Sequence, residues 1–333
     1  MRYIKGLTIV LLGSLVLSIS GCGLLTKTPE AIAKSPVGKV NGVIITKAEF
    51  QKRLDQNISS LNSQYGADFD KSDTGKQYVA QLKTNLIGQM ESEVLLVQKA
   101  KELKLDSDTS KIDTEVKTQI DSIKKDNYAG DEAKYVAAIK SAGYTEASFP
   151  LEIRRQVIIN NVLDYIDKDV TVSDAEIKDY YDKNPYEFTE KPNTIKLLHI
   201  NVATEAEAIA VLARLKNKED FAAVAKEVSL DTATKDKGGD LGDVPYLNSG
   251  LEEAFMTAAI KLKDGTVSDP VTLTSGFDII KAVSRAEFPE KTLAAVTDTI
   301  KSEVTTTKNT AAQNAKITEW TKVAKITTYT NNL

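Results

Sequence analysis

The chain has 333 residues, 41% of them hydrophobic and 27% charged, which suits packed cores under an ordinary water-facing surface, and the length suggests two domains. With 43 basic and 47 acidic residues the net charge is −4, which argues against a nucleic-acid binder and its clustered basic footprint. One cysteine and one histidine exclude a disulfide framework and the cysteine- or histidine-rich zinc sites.

In chain order, Arg2 and Lys5 form a short positive region before the apolar run Leu7 to Ile19, which is too short to span a bilayer comfortably. The run ends in Ile19-Ser20-Gly21-Cys22, which resembles a bacterial lipoprotein lipobox. That resemblance implies removal of residues 1–21 and lipidation of Cys22, with residues 22–36 as a polar tether. No later stretch approaches the ~20 apolar residues of a spanning helix. The expected location is therefore the extracytoplasmic face of the cell membrane, held by a lipid anchor.

Val37 to Ile45 reads as a hairpin turning at Asn41-Gly42, a strong turn dipeptide. Thr46 with Glu49 three residues later is a capping box that opens a helix. Leu82, Leu86, Met90 and Val94 recur every four residues and predict a long amphipathic helix into Leu103. Further helices are predicted around Ile112 to Ile123, Glu132 to Ser141 and Leu151 to Ile166. Ser173 and Glu176 form a second capping box, whose helix stops before Asn184-Pro185.

Residues 194–285 change character. Thr194 to Val202 is a β-branched-rich strand with Ile195, Leu197 and His199 on one face. Two helices follow, the first with Ile209, Leu212 and Leu215 at helical spacing, the second with Phe221, Val224 and Val228. A glycine-containing strand around Gly238 to Gly242, a short helix around Leu251 to Leu262 and strands at Pro270 to Leu273 and Phe277 to Val283 complete the region. The fold class is α+β, with a small antiparallel sheet surrounded by helices here. Beyond it, Leu293, Val296, Ile300 and Val304 form one apolar stripe and Trp320 with Val323 another, and Thr305-Thr306-Thr307 is expected to interrupt the C-terminal helices.

The ordered set His199-Ile200, Phe221 to Ala225, Ser229-Leu230-Asp231, Gly238-Gly239-Asp240-Leu241-Gly242, Phe255, Gly265 to Val271 and Ser275 to Ile280 resembles a parvulin-type peptidyl-prolyl isomerase domain. With the lipobox and the flanking helical segments, the chain resembles the PrsA-type foldase lipoproteins and, more distantly, the SurA chaperones. The resemblance implies a helical chaperone lobe built from residues 37–190 and 290–326, with the isomerase domain at 194–285 inserted between them. It implies a membrane-anchored foldase that isomerises X–Pro bonds and binds unfolded or newly exported polypeptides, needs no cofactor or metal, and is compatible with a homodimer.

The same resemblance places Leu241, Leu251 and Phe255 around the proline ring, Asp231 beside the substrate carbonyl, and His199 and Ser275 on the polar floor. Asp278 stands where many parvulins carry a second histidine paired with the first, and Asp243-Val244 replaces an aromatic pair; both changes bear on how active the site is. Asp278 is expected within hydrogen-bond reach of His199. The carboxylates Asp231, Asp236, Asp240 and Asp243 miss the spacing of a calcium loop and read as turn residues. Two alternatives stand beside the foldase reading: a holdase with a weak or inactive parvulin domain, and a lipid-anchored solute-binding or structural protein. The sequence carries no P-loop, nucleophile elbow or dinucleotide fingerprint.

Overall fold

The computed structural model describes residues 28–333, so the signal-like run and Cys22 lie outside the described residues. Two compact units emerge: 28–171 with Thr305–Leu333, and Val172–Val304.

The first unit opens with a short helix α1 (Pro29–Ala33) and the hairpin β1 (Pro36–Val40) and β2 (Val43–Thr46). Asn41 and Gly42 both take positive φ, 48° and 97°, as a two-residue hairpin turn requires. The Thr46 and Glu49 capping box is formed and starts α2 (Lys47–Tyr65). Then come α3 (Asp73–Glu102), α4 (Thr109–Tyr128), α5 (Glu132–Ser141) and α6 (Phe149–Asp167). One stretch of α3, with Leu86, Ile87 and Met90, covers Val37, Ile45, Phe50 and Leu54. Its last turns bring Leu95, Leu96 and Ala100 against Ile159, Val162 and Leu163 of α6. Between these helices the buried Glu93 accepts from Arg53 at 2.8 Å and from Arg155, which gives a buried charge the partners it needs.

The second unit begins with α7 (Asp174–Lys183), opened by the Ser173 and Glu176 capping box. There follow β3 (Thr194–Val202), α8 (Glu205–Lys216), α9 (Phe221–Val228), β4 (Asp240–Pro245), α10 (Glu253–Lys261), β5 (Val271–Leu273) and β6 (Gly276–Ala286). The four strands form an antiparallel sheet in the order β4-β3-β6-β5. Period-two alternation along β3 sends Ile195 and Leu197 towards Phe255 and Met256 of α10, and Ile200 and Val202 towards α8 and α9. The buried face of α8 is Ala208, Val211 and Leu212. Ile209, expected on that face, is 56% exposed, because the stripe is centred one position away, on Ala208 and Val211.

α11 (Leu293–Val323) is one helix of 31 residues and runs unbroken through Thr305-Thr306-Thr307. The expected interruption does not occur. A threonine costs only about half a kcal/mol relative to alanine in a helix, and packing on both sides of the triplet outweighs that. Before it, Val296 and Ile300 pack on Ile177 and Phe188; after it, Ile317 and Trp320 join the core of the first unit. Thr297, Thr310 and Thr321 turn their hydroxyls onto carbonyls one turn back. Val323, expected beside Trp320, is 77% exposed, since the buried stripe ends at Trp320. The packing of α7, Phe188 and the first turns of α11 puts the unit boundaries at 171/172 and 304/305, wider than the 194–285 expected for the inserted domain.

A last strand, β7 (Ile326–Thr328), pairs antiparallel with β1 and gives a three-stranded sheet ordered β2-β1-β7. The lobe anticipated as helical therefore holds a sheet that joins the two ends of the described chain.

Candidate active site

His199 and Asn201 lie two residues apart on β3, and Asp278 on β6 is registered directly opposite Asn201. Residues two apart on a strand, and residues opposite one another on neighbouring strands, share a face. All three therefore point to the side of the sheet where α10 lies. His199 is 8% exposed and Asp278 2%. The His199 ring meets Phe255 edge-on at 6.0 Å between centroids.

The backbone around the histidine explains the paired glycines. His199 N–H donates to the Gly239 carbonyl at 2.9 Å, and Gly239 N–H to the Thr234 carbonyl at 2.9 Å. Gly238 and Gly239 take φ of 71° and 79°, and a Cβ on Gly239 would lie 2.1 Å from the His199 carbonyl oxygen. Only glycine lets the loop lie this close to the strand. That approach brings the Thr234 hydroxyl to His199.

A second loop is tied down at the end of α9. Leu230 N–H donates to the Asn201 carbonyl at 2.8 Å, and the Ser229 hydroxyl accepts from the backbone N–H of Asn201 and of Asp231, at 3.2 and 3.3 Å. Asp231 is thereby held at the Nε2 edge of the ring. His199 Nδ1 lies 2.7 Å from Asp278 Oδ2. Its Nε2 lies 2.9 Å from Asp231 Oδ2 and 3.1 Å from Thr234 Oγ1. Asn201 Nδ2 donates to the other Asp278 oxygen at 2.6 Å, Thr234 donates to Asp231, and Ala233 N–H donates to Asp231 Oδ1 at 3.1 Å.

With a carboxylate at each ring nitrogen, the imidazolium satisfies both partners, whereas a neutral ring would turn a lone pair towards one of them. Burial works against the charged ring, but the hydrogen bonds and charge of Asp278, with those of Asp231, outweigh it and raise the His199 pKa above its ordinary value. Burial likewise disfavours the Asp231 carboxylate, yet the Thr234 and His199 hydrogen bonds hold its pKa below the usual range.

The residues singled out in the sequence are partly brought together. His199, Asp231 and Asp278 form one network, with Asp278 in hydrogen-bond reach as expected. Ser275 stands one step removed, 3.5 Å from Asn201 Nδ2. Phe255 is 2% exposed and belongs to the core beneath the site, while Leu241 and Leu251 pack beside it half-buried. Of the acidic cluster, Asp231 and Asp240 accept from backbone N–H groups two residues on, the pattern of turn carboxylates. Asn201 and Thr234 were not singled out in advance, and Ser229 stood only within the matched motif, with no role assigned. Period two along the strand was the signal for Asn201; Thr234 owes its position to loop closure, which leaves no pattern in sequence.

Residues 1–163 match a SurA-like N-terminal domain, and residues 196–284 a PPIC-type PPIASE domain. The chain is similar to the foldase protein PrsA of Clostridium botulinum, 41% identical over 331 residues that span 99% of this chain and 98% of the relative. It is also similar to the foldase protein PrsA of Clostridium kluyveri, 40% identical over 329 residues, 97% of this chain and 96% of the relative. Among solved structures, the peptidylprolyl isomerase (PrsA) from Bacillus anthracis is 27% identical and covers 71% of this chain and 96% of its own, with a TM-score of 0.37.

Proposed function

The chain belongs to the PrsA foldase family and is a parvulin-type peptidyl-prolyl cis-trans isomerase, and from that premise we propose that it works as a lipid-anchored foldase on the extracytoplasmic face of the membrane. In this reading Cys22 carries the anchor, unfolded exported polypeptides are the clients, and His199, Asp231, Ser275 and Asp278 with Leu241, Leu251 and Phe255 form the isomerase site.

The observation that carries the reading is a closed, buried polar network set against an apolar wall: His199 between Asp278 and Asp231, edge-on to Phe255, with Leu241 and Leu251 half-buried alongside. Rotation about an X–Pro bond meets a barrier of about 18–20 kcal/mol because amide resonance is lost at the twisted geometry. No covalent step is needed. The planar amide is the more charge-separated form, so an apolar surface around the ring favours the twisted one, and each ~1.4 kcal/mol gained is tenfold in rate. Leu241, Leu251 and Phe255 supply that surface. His199 and Asp278 hold the floor rigid without transferring a proton, and Asp231, the least buried member of the network, faces the carbonyl before the proline.

Isomerisation of a set of X–Pro peptides by the whole chain, followed by NMR exchange or a protease-coupled assay, tests the assignment. Phe255→Ala should lower kcat/KM about tenfold or more, and Leu251→Ala and Asp231→Ala roughly threefold to tenfold. Parental kcat/KM in folded Leu251→Ala and Asp231→Ala would remove the site from this face of the sheet. Asp278 in place of a histidine favours a second emphasis, in which holding unfolded chains dominates and isomerisation is slow. In that case Phe255→Ala leaves suppression of client aggregation untouched, and Asp278→His raises the isomerisation rate.

A further inference from the structure

We infer that Glu252 is a positioning residue of the isomerase, a clamp that sets the width of the cleft receiving the proline ring. This role rests on the pocket assignment proposed above and adds to it a residue with no contact to His199 or its carboxylates among the bonds described.

Glu252 occupies the N-cap position of α10, with extended backbone at φ −61° and ψ 144°, yet its side chain makes no bond to its own helix. A cap residue ordinarily turns a side-chain oxygen onto the free N–H groups of the first turn. Here the carboxylate reaches across to the two-residue turn between β5 and β6, whose flanks are the paired Leu273 and Gly276. It accepts from Thr274 N–H at 3.1 and 3.0 Å on its two oxygens, and from the Thr274 hydroxyl at 2.5 Å. These bonds hold the Glu252 carboxyl below its usual pKa, so the clamp is ionised at neutral pH.

One end of the clamp adjoins the residues assigned to the wall of the proposed cleft and the other adjoins one assigned to its polar floor. Leu251 immediately precedes Glu252, and Phe255 follows within one helical turn. Ser275 immediately follows Thr274. α10 and β5 also share an apolar cluster that includes Phe255, Met256, Val271 and Leu273. Apolar contact is non-directional and lets a helix slide or lift by small amounts; three hydrogen bonds to one carboxylate do not. Cleft width matters most for the fit of the ring, since one methylene in an apolar pocket is worth about tenfold to two-hundredfold in discrimination.

The test compares an X–Pro peptide with its counterpart carrying six-membered pipecolic acid, each assayed by NMR exchange on the whole chain. Glu252→Ala should narrow the preference for proline by roughly threefold to tenfold, with KM for the proline peptide rising and kcat within about twofold of the parent. Glu252→Gln keeps one acceptor oxygen and should restore most of the preference, while Thr274→Val, which keeps the N–H bond, should fall between. A merely structural role lowers kcat/KM for both peptides alike. A folded Glu252→Ala with the parental ring preference overturns the clamp. If Phe255→Ala impairs the same assay, only the clamp falls; if Phe255→Ala is also silent, the pocket assignment falls and takes the clamp with it.

Discussion

His199 holds its proton between two acceptors fixed from different elements, Asp278 on β6 and Asp231 at the end of α9. Its raised pKa means that its contribution to stability is fully present below the ordinary imidazole value of about 6.5 and is lost as pH rises through the higher folded value. Asp231, whose pKa is lowered, contributes above about 3.9 and ceases to do so as pH falls through its lower folded value. The network should therefore stabilise the second unit most between roughly pH 4 and 6.5. Since the chain has one histidine, an NMR titration reads it without ambiguity, and Asp278→Asn should move its pKa back down. A pKa at or below the ordinary value, unmoved by Asp278→Asn, would show that the pair does not hold a proton. The pairing was legible beforehand through the family resemblance, which sets Asp278 where a second histidine pairs with the first; in the sheet Asp278 faces Asn201, and His199 reaches it diagonally. Thr234 was not, because it arrives through a glycine-permitted loop rather than through a period.

Local signals were read correctly where the deciding interaction is itself local. The hairpin turn at Asn41-Gly42 and the capping boxes at Thr46 and Ser173 involve partners within a few residues, and all three are formed. The continuous α11 and the three-residue β7 were not legible, since both owe their stability to distant partners that override propensity. β7 is also fastened by a half-buried contact: Oγ1 of Thr328, an exposed residue of the strand, donates to Oε1 of the buried Glu91 of α3 at 2.7 Å. Burial pushes the Glu91 carboxyl up and the Thr328 hydrogen bond opposes that. Thr328→Val preserves shape but leaves the carboxyl without its donor, and should destabilise the first unit by about 1–3 kcal/mol. Denaturant unfolding followed by the fluorescence of Trp320, which is buried in that unit, measures this directly. A change under about 0.5 kcal/mol would mean the contact is not formed in solution.

At the scale of the molecule, length suggested two domains and the family resemblance implied that one interrupts the other, while the compact unit of the structure is wider than the isomerase domain expected at 194–285. Nothing in residues 172–190 or 293–304 marks them as partners; the stripe of Val296 and Ile300 finds Ile177 and Phe188 only in three dimensions. The proposed lipid anchor bears on the whole chain. Cys22→Ser should leave the isomerase intact while the protein shifts from the membrane to the soluble fraction, because stable attachment takes two or more acyl chains. Equal partition of parent and variant with membranes would refute the anchor. The sheet β2-β1-β7 finally imposes an order in time. Asn332 bonds the Pro36 carbonyl across 296 positions, so a chain emerging from its N-terminus carries β1 with one edge open until residues 326–332 arrive. Loop-closure entropy grows only slowly with length, so the delay is one of arrival and not of thermodynamic cost. The second unit, continuous from Val172 to Val304, has every strand in hand earlier, and the isomerase is complete while the other unit still waits for its final strand.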